Sequence, residues 1–251
     1  MKNRVNVKEV KSGLQDRRSF LKISGLALAG TGLLLAGCSD DDDAGGMAAD
    51  NQLPGVRNGV FDLGGGDLGI LTYAYALEQL EADFYTRVVN NNNFTSVFSA
   101  EEQEILVDLY NHEVVHREFF RAAISGALNG DTARLLPNLE FDYGSLNFGN
   151  RLTVLQTAKT LEDTGVAAYN GAGRYISDVN YLLIAGKIVS VEARHASAIR
   201  DLLNPGSADF AGNDVVTTDT GLDVARRPSQ IISEVAALDV VQTQFTAQFL
   251  P

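Results

Sequence analysis

The chain has 251 residues, 45% hydrophobic and 21% charged, enough for one good-sized globular core or two small ones. The formal net charge is -12 although seven of the 20 Lys/Arg lie within the first 37 residues, so the remainder is strongly acidic and repels phosphate backbones; no nucleic-acid partner is expected. A single cysteine excludes an intramolecular disulfide, and in the absence of tryptophan the expected sources of stability are packing and bound metal.

In chain order, Asp16-Arg17-Arg18-Ser19-Phe20-Leu21-Lys22 resembles a twin-arginine export signal, with Asp16 where serine or threonine is usual. The apolar run Ile23 to Gly37 is 15 residues long, short for a membrane-spanning helix. Leu35-Ala36-Gly37-Cys38 resembles a lipoprotein box, in which cleavage leaves Cys38 as a lipidated N-terminus; the plainer alternative is a signal peptide with a chance cysteine. Ser39 and the four aspartates after it read as a solvated tether, and they resemble a signal for display on the outer surface. The partners implied are the twin-arginine export machinery and the membrane. The implied location is the cell envelope, as a membrane-anchored lipoprotein.

Residues 39–66 lack apolar periodicity and end in Gly64-Gly65-Gly66-Asp67. No Lys-Ser/Thr follows, so this reads as a flexible lead-in with Asp67 as helix N-cap rather than a phosphate loop. From Leu68 to Val89 the stripe Leu71, Tyr75, Glu78, Ala82, Tyr85 and Val89 predicts a helix. Glu78 interrupts its apolar face, and a buried carboxylate must be paired, protonated or bound to metal. Ser99 with Glu102 forms a capping box opening a second helix, whose stripe is Leu106, Leu109, Glu113, His116 and Phe120. The connection 127–150 spans up to roughly 80 Å when extended, whereas a 23-residue helix is about 35 Å long. It can therefore cross a whole bundle. Arg151 to Tyr169 is a third helix, with Leu155, Ala158, Glu162 and Tyr169 on its inner face. Asn180 to Leu203 is a fourth, with Ala185, Val189, Glu192, His195 and Ile199. The tail, 204–251, is mixed, with one short helix from Ser229 to Leu238 capped by Ser229.

Two of the three histidines fall in Glu-x-x-His, at Glu113/His116 and Glu192/His195, a spacing that puts both side chains on one helix face. Each such helix follows one in which a glutamate lies seven residues before a tyrosine: Glu78 before Tyr85, Glu162 before Tyr169. This duplicated hairpin is the ligand scheme of the dinuclear carboxylate bundles. Carboxylates offset the repulsion between two divalent ions, each imidazole caps one ion, and mixed oxygen and nitrogen ligands suit iron or manganese. Open positions would admit dioxygen or peroxide.

Leu77-Glu78-Gln79-Leu80-Glu81-Ala82-Asp83-Phe84-Tyr85, the stretch Leu161 to Tyr169, and Val191-Glu192-Ala193-Arg194-His195-Ala196 resemble the ferritin-like domain family that includes the plant desiccation-related proteins. The resemblance covers about 68–203 and implies an all-α, ferritin-like four-helix bundle. A long crossover joins its helices 2 and 3, and a mostly irregular C-terminal tail follows. The expected organisation is an export signal (1–37), an acidic and Gly-rich linker (38–66), the bundle (67–203) and an extension with a short helix (204–251). The expected metal ligands are Glu78, Glu113, His116, Glu162, Glu192 and His195. Glu81, on the same inner face, is an alternative or extra ligand. His112 is a polar neighbour or a support behind a ligand. Tyr85 and Tyr169 read as core aromatics with hydrogen-bonded hydroxyls. The expected function is a lipid-anchored protein with two Fe or Mn ions, engaged in iron oxidation, peroxide removal or oxygen activation. Its rival is a non-catalytic envelope protein that uses a metal-free bundle for binding or stress protection.

Overall fold

The computed structural model describes residues 52–251. Arg17, Arg18, Cys38 and the acidic tether lie outside the described residues. Among the described residues no helix is long and apolar enough to cross a membrane.

Four long helices make the bundle: α1 (Gly66–Val89), then, beyond the single turn α2 (Phe94–Val97), α3 (Ala100–Ala127), α4 (Arg151–Ala172) and α5 (Val179–Leu203). α1 packs along α3 and α4 along α5, giving two helical hairpins. Local chemistry sets their ends. Ser99 Oγ accepts from Glu102 N at 3.3 Å while Glu102 Oε2 accepts from Ser99 N at 2.8 Å, the reciprocal capping box expected for α3. Asn150 caps α4 by accepting from Thr153 N, and Asp178 caps α5 by accepting from Asn180 N. α3 stops where Asn129 and Gly130 take positive φ (52° and 77°) and Gly130 N returns to Ser125 O.

Three local expectations are corrected. Asp67 lies in the first turn of α1, whose N-cap is Gly65. Its carboxylate instead accepts from Ser177 N and Asp178 N at 2.8 and 2.7 Å, tying the start of α1 to the α4–α5 turn. The lead-in is ordered from its described beginning. β1 (Gly55–Arg57) and β2 (Val60–Asp62) form an antiparallel hairpin around Asn58-Gly59, both at positive φ, the two-residue turn that matches strand twist. In the tail, α6 spans Pro228–Ala237 with Arg227, not Ser229, at the N-cap, because proline fits the first helical position without losing a hydrogen bond.

The tail explains the most buried of the bundle helices. α1 is buried on nearly every side, more than its inner stripe predicts. Its outer face meets the crossover, where the Tyr143 hydroxyl donates to Leu80 O, and lines one cavity with Leu139, with Ile232 and Val235 of α6 and with Phe245 of the C-terminal segment. Gln79 clamps the crossover, its Oε1 accepting from Leu139 N and its Nε2 donating to Pro137 O. β3 (Phe245–Thr246) pairs parallel with β2, and buried Asp62 accepts from Thr246 Oγ1 and Gln248 N, joining the lead-in to the end of the chain.

Candidate metal centre

Each bundle helix delivers its polar residues to one point: Glu78 from α1, Glu113 and His116 from α3, Glu162 from α4, and Glu192 and His195 from α5. All four glutamates are fully buried. His116 Nδ1 lies 2.9 Å from Glu192 Oε1, 3.4 Å from Glu78 Oε2 and 3.5 Å from Glu113 Oε2. His195 Nδ1 lies 2.7 Å from Glu113 Oε1, 3.5 Å from Glu162 Oε2 and 3.5 Å from Glu192 Oε2. The six residues therefore form two overlapping sets, Glu78/Glu113/His116/Glu192 and Glu113/Glu162/Glu192/His195, each with ligand atoms within 4.8 Å of one another. Glu113 and Glu192 belong to both, and each turns one oxygen toward either imidazole.

The outer oxygens of the two remaining glutamates are held from the opposite half. Tyr169, on α4, donates its hydroxyl to Glu78 Oε1 on α1; Tyr85, on α1, donates to Glu162 Oε1 on α4 at 2.5 Å. The tyrosines are the hydrogen-bonded core aromatics expected, and the exchange fixes both carboxylates with Oε2 inward.

A cation fits what is left. Glu78 Oε2, Glu162 Oε2, both oxygens of Glu113 and Glu192, and Nδ1 of His116 and His195 are buried without an aligned hydrogen bond. Buried polar atoms are normally satisfied, and a convergent set of carboxylate oxygens and imidazole nitrogens is a divalent-metal donor set. In the metal-free protein, protons take the cation's place. Burial opposes charge on His116, but its contacts with Glu113, Glu192 and Glu78 outweigh that and push it up to about 12. His195 is raised in the same way against its burial, by Glu162, Glu113 and Glu192. Burial and the neighbouring Glu192 push Glu113 up to about 8. Glu192, despite burial, is held down at about 2 by the two imidazoles it faces.

Glu81 joins neither set. It sits buried one turn beyond Glu78, in space left by Gly165, where a Cβ would come within 2.8 Å of Glu81 Oε1. Burial and then the charges of Glu192, Glu113, Glu162 and Glu78 raise its carboxyl well above the usual range. His112 is exposed on its outer side, yet its Nδ1 lies 3.0 Å from His195 Nε2 with the rings parallel within 3°. His112 therefore stacks on His195 from outside the cluster.

One buried group has no counterpart in the sequence reading. Arg200 grips Asp163 with Nε and Nη2 at 2.8 and 2.6 Å and Asp214 with Nη1 and Nη2 at 3.1 and 2.7 Å, bracing α4 against α5 beside Glu162. Its signal was an arginine one turn after Ala196 on the inner stripe of α5.

The ferritin-like domain family matches residues 66–205, the span from the start of α1 to just beyond α5. No curated protein matches the chain.

Proposed function

We propose, from the premise that this chain belongs to the ferritin-like domain family, that it is a lipid-anchored envelope protein whose bundle holds a dinuclear iron or manganese centre with redox activity. The observation that carries this reading is the sharing of Glu113 and Glu192 between two ligand sets, with one oxygen of each on either side. A single ion has no use for two imidazoles that each cap a separate group of carboxylates.

The protein's own residues have distinct tasks. Glu113 and Glu192 would serve both ions, while Glu78 with His116 and Glu162 with His195 would each complete the hold on one. Tyr169 and Tyr85 keep their protons on the hydroxyls, because burial and the adjacent Glu78 and Glu162 raise both phenols well above their ordinary value. They orient the carboxylates as hydrogen-bond donors. The enclosing side chains exclude water, which strengthens every charge interaction inside. A bound pair of iron or manganese ions would supply redox chemistry, in which the divalent ions would be oxidised and dioxygen or peroxide would accept their electrons.

The anchoring half of the reading rests on sequence. Arg17-Arg18 fits export of a folded, metal-loaded bundle through the twin-arginine machinery, and Cys38 after Leu-Ala-Gly fits lipidation and attachment to the membrane, with the acidic tether suited to surface display. The segments around Glu78, Glu162 and Glu192 support kinship with the plant desiccation-related proteins.

The test is metal analysis of purified residues 39–251 after anaerobic loading with iron or manganese. Two equivalents per chain are expected. Less than about a tenth of an equivalent overturns the proposal. Glu113→Ala, which removes a ligand from both sets, should abolish binding of both ions.

A further inference from the structure

The duplicated hairpin is not symmetric where its imidazoles face outward. His195 turns Nδ1 toward three carboxylates, leaving Nε2 as its outward nitrogen. That nitrogen meets Nδ1 of His112 at 3.0 Å, with the two rings parallel and their centroids 5.2 Å apart. Only one hydrogen can occupy this contact. If Nδ1 of His195 is to offer a lone pair to an ion, its proton resides on Nε2, so His195 donates and His112 accepts. The donor is the same when Nδ1 is protonated as well, because an imidazolium carries a hydrogen on each nitrogen, so the contact serves both states. The second hairpin has nothing equivalent. The residue before Glu113 is His112, whereas the residue before Glu192 is Val191, which has no acceptor to offer the other imidazole.

We infer that His112 is a positioning residue for His195: it fixes the ring and tautomer that aim Nδ1 inward, and so makes the Glu113/Glu162/Glu192/His195 position the tighter of two unequal metal positions. The inference rests on the dinuclear reading. A ligating histidine is commonly oriented by the group bonded to its other nitrogen, and loss of that group weakens metal binding roughly 10- to 100-fold.

The experiment titrates the metal-free mature protein with Co(II), in competition with a chromogenic chelator, and follows the visible absorption of each step. Wild type is expected to take up two ions in two resolved steps. His112→Ala should weaken one step by roughly 10- to 100-fold and change its absorption, leaving the other step in place. The weakened step should be the one that His195→Ala removes. His112→Asn should restore it, because the asparagine Oδ1 takes the place of the imidazole Nδ1 as acceptor. His112 is exposed, so the alanine variant should unfold at the wild-type temperature when metal-free. Equal weakening of both steps, weakening of the step that His116→Ala removes, no weakening, or failure of asparagine to restore binding overturns the role of His112. Absence of any Co(II) uptake by wild type overturns the dinuclear reading itself, and His112 with it.

Discussion

Alongside the raised His195, Glu162 and Glu81, Glu113 and His116 contribute to the pH dependence expected of the centre. Both hold protons in the metal-free protein, Glu113 pushed up to about 8 and His116 up to about 12, and an ion must displace those protons. Metal affinity should therefore rise with pH. The stability of the metal-free fold should move the other way. A group whose folded value is raised contributes stability that is present below its unfolded value and lost as pH climbs through the folded one. For Glu113 the loss runs from about pH 4.5 to about 8, and for His116 from about 6.5 to about 12. Glu192, held down at about 2, acts in the opposite direction, and its contribution disappears in acid. The difference in Tm between Mn(II)-loaded and chelator-treated protein should thus widen from pH 6 to pH 8.5; scanning calorimetry at both values checks it, and a constant or narrowing gap contradicts the assignment. The six converging residues were legible in the sequence because one rule, Glu followed by Glu-x-x-His, occurs twice on apolar stripes. The partnerships His112–His195, Tyr169–Glu78 and Arg200–Asp163 were not, since each joins residues on different helices, and spacing along one helix says nothing about the rotation of its neighbour.

At the scale of elements, the ends of the bundle helices were largely legible because caps are local. Ser99, with Glu102 three residues on, marks a helix start in any context, and Ser99→Ala should cost about 1 kcal/mol in chemical denaturation. The lead-in and the outer face of α1 were not legible. β1 and β2 have three residues each, too short for a periodic signal, and their Asn-Gly turn is a hint that only the pairing with β3 makes meaningful. Likewise, the all-round burial of α1 depends on a tail that returns more than a hundred residues later. One glycine shows how closely that tail is fitted. Arg226 N donates to Ala167 O, and a Cβ on Gly171 would lie 1.7 Å from Arg226 O, backbone against which no side chain can yield. Gly171→Ala should destabilise the protein by about 1–3 kcal/mol, and it should expose the segment between α5 and α6 to limited proteolysis. Cleavage rates equal to wild type would show that the chain does not depend on this contact.

Among the described residues, the centre is where all four bundle helices meet through charge, and the Tyr85–Glu162 and Tyr169–Glu78 hydrogen bonds already cross-link the hairpins there. Metal should accordingly stabilise the bundle as a unit and raise the temperature of a single unfolding transition. At a free concentration a hundred times Kd, each ion adds about 2.7 kcal/mol. For a protein of this size each kcal/mol moves Tm by about 2–4 °C, so a rise of roughly 5–10 °C per ion is expected. Glu113→Gln separates this gain from the fold itself. Burial and the neighbouring Glu192 shift the Glu113 carboxyl toward its neutral form in the metal-free protein, and glutamine copies the shape and neutral charge of that form. The metal-free variant should thus stay within about 1 kcal/mol of wild type, the scale of one altered hydrogen bond. Yet an amide is a poor bridging ligand, and Glu113 serves both ligand sets. The variant should lose the whole metal-dependent rise in Tm. If that rise persists in the variant, the stabilising metal sits elsewhere on this acidic protein. A large fall in the metal-free Tm would instead mean that Glu113 is ionised in the empty centre and bound to the imidazoles as a structural anion.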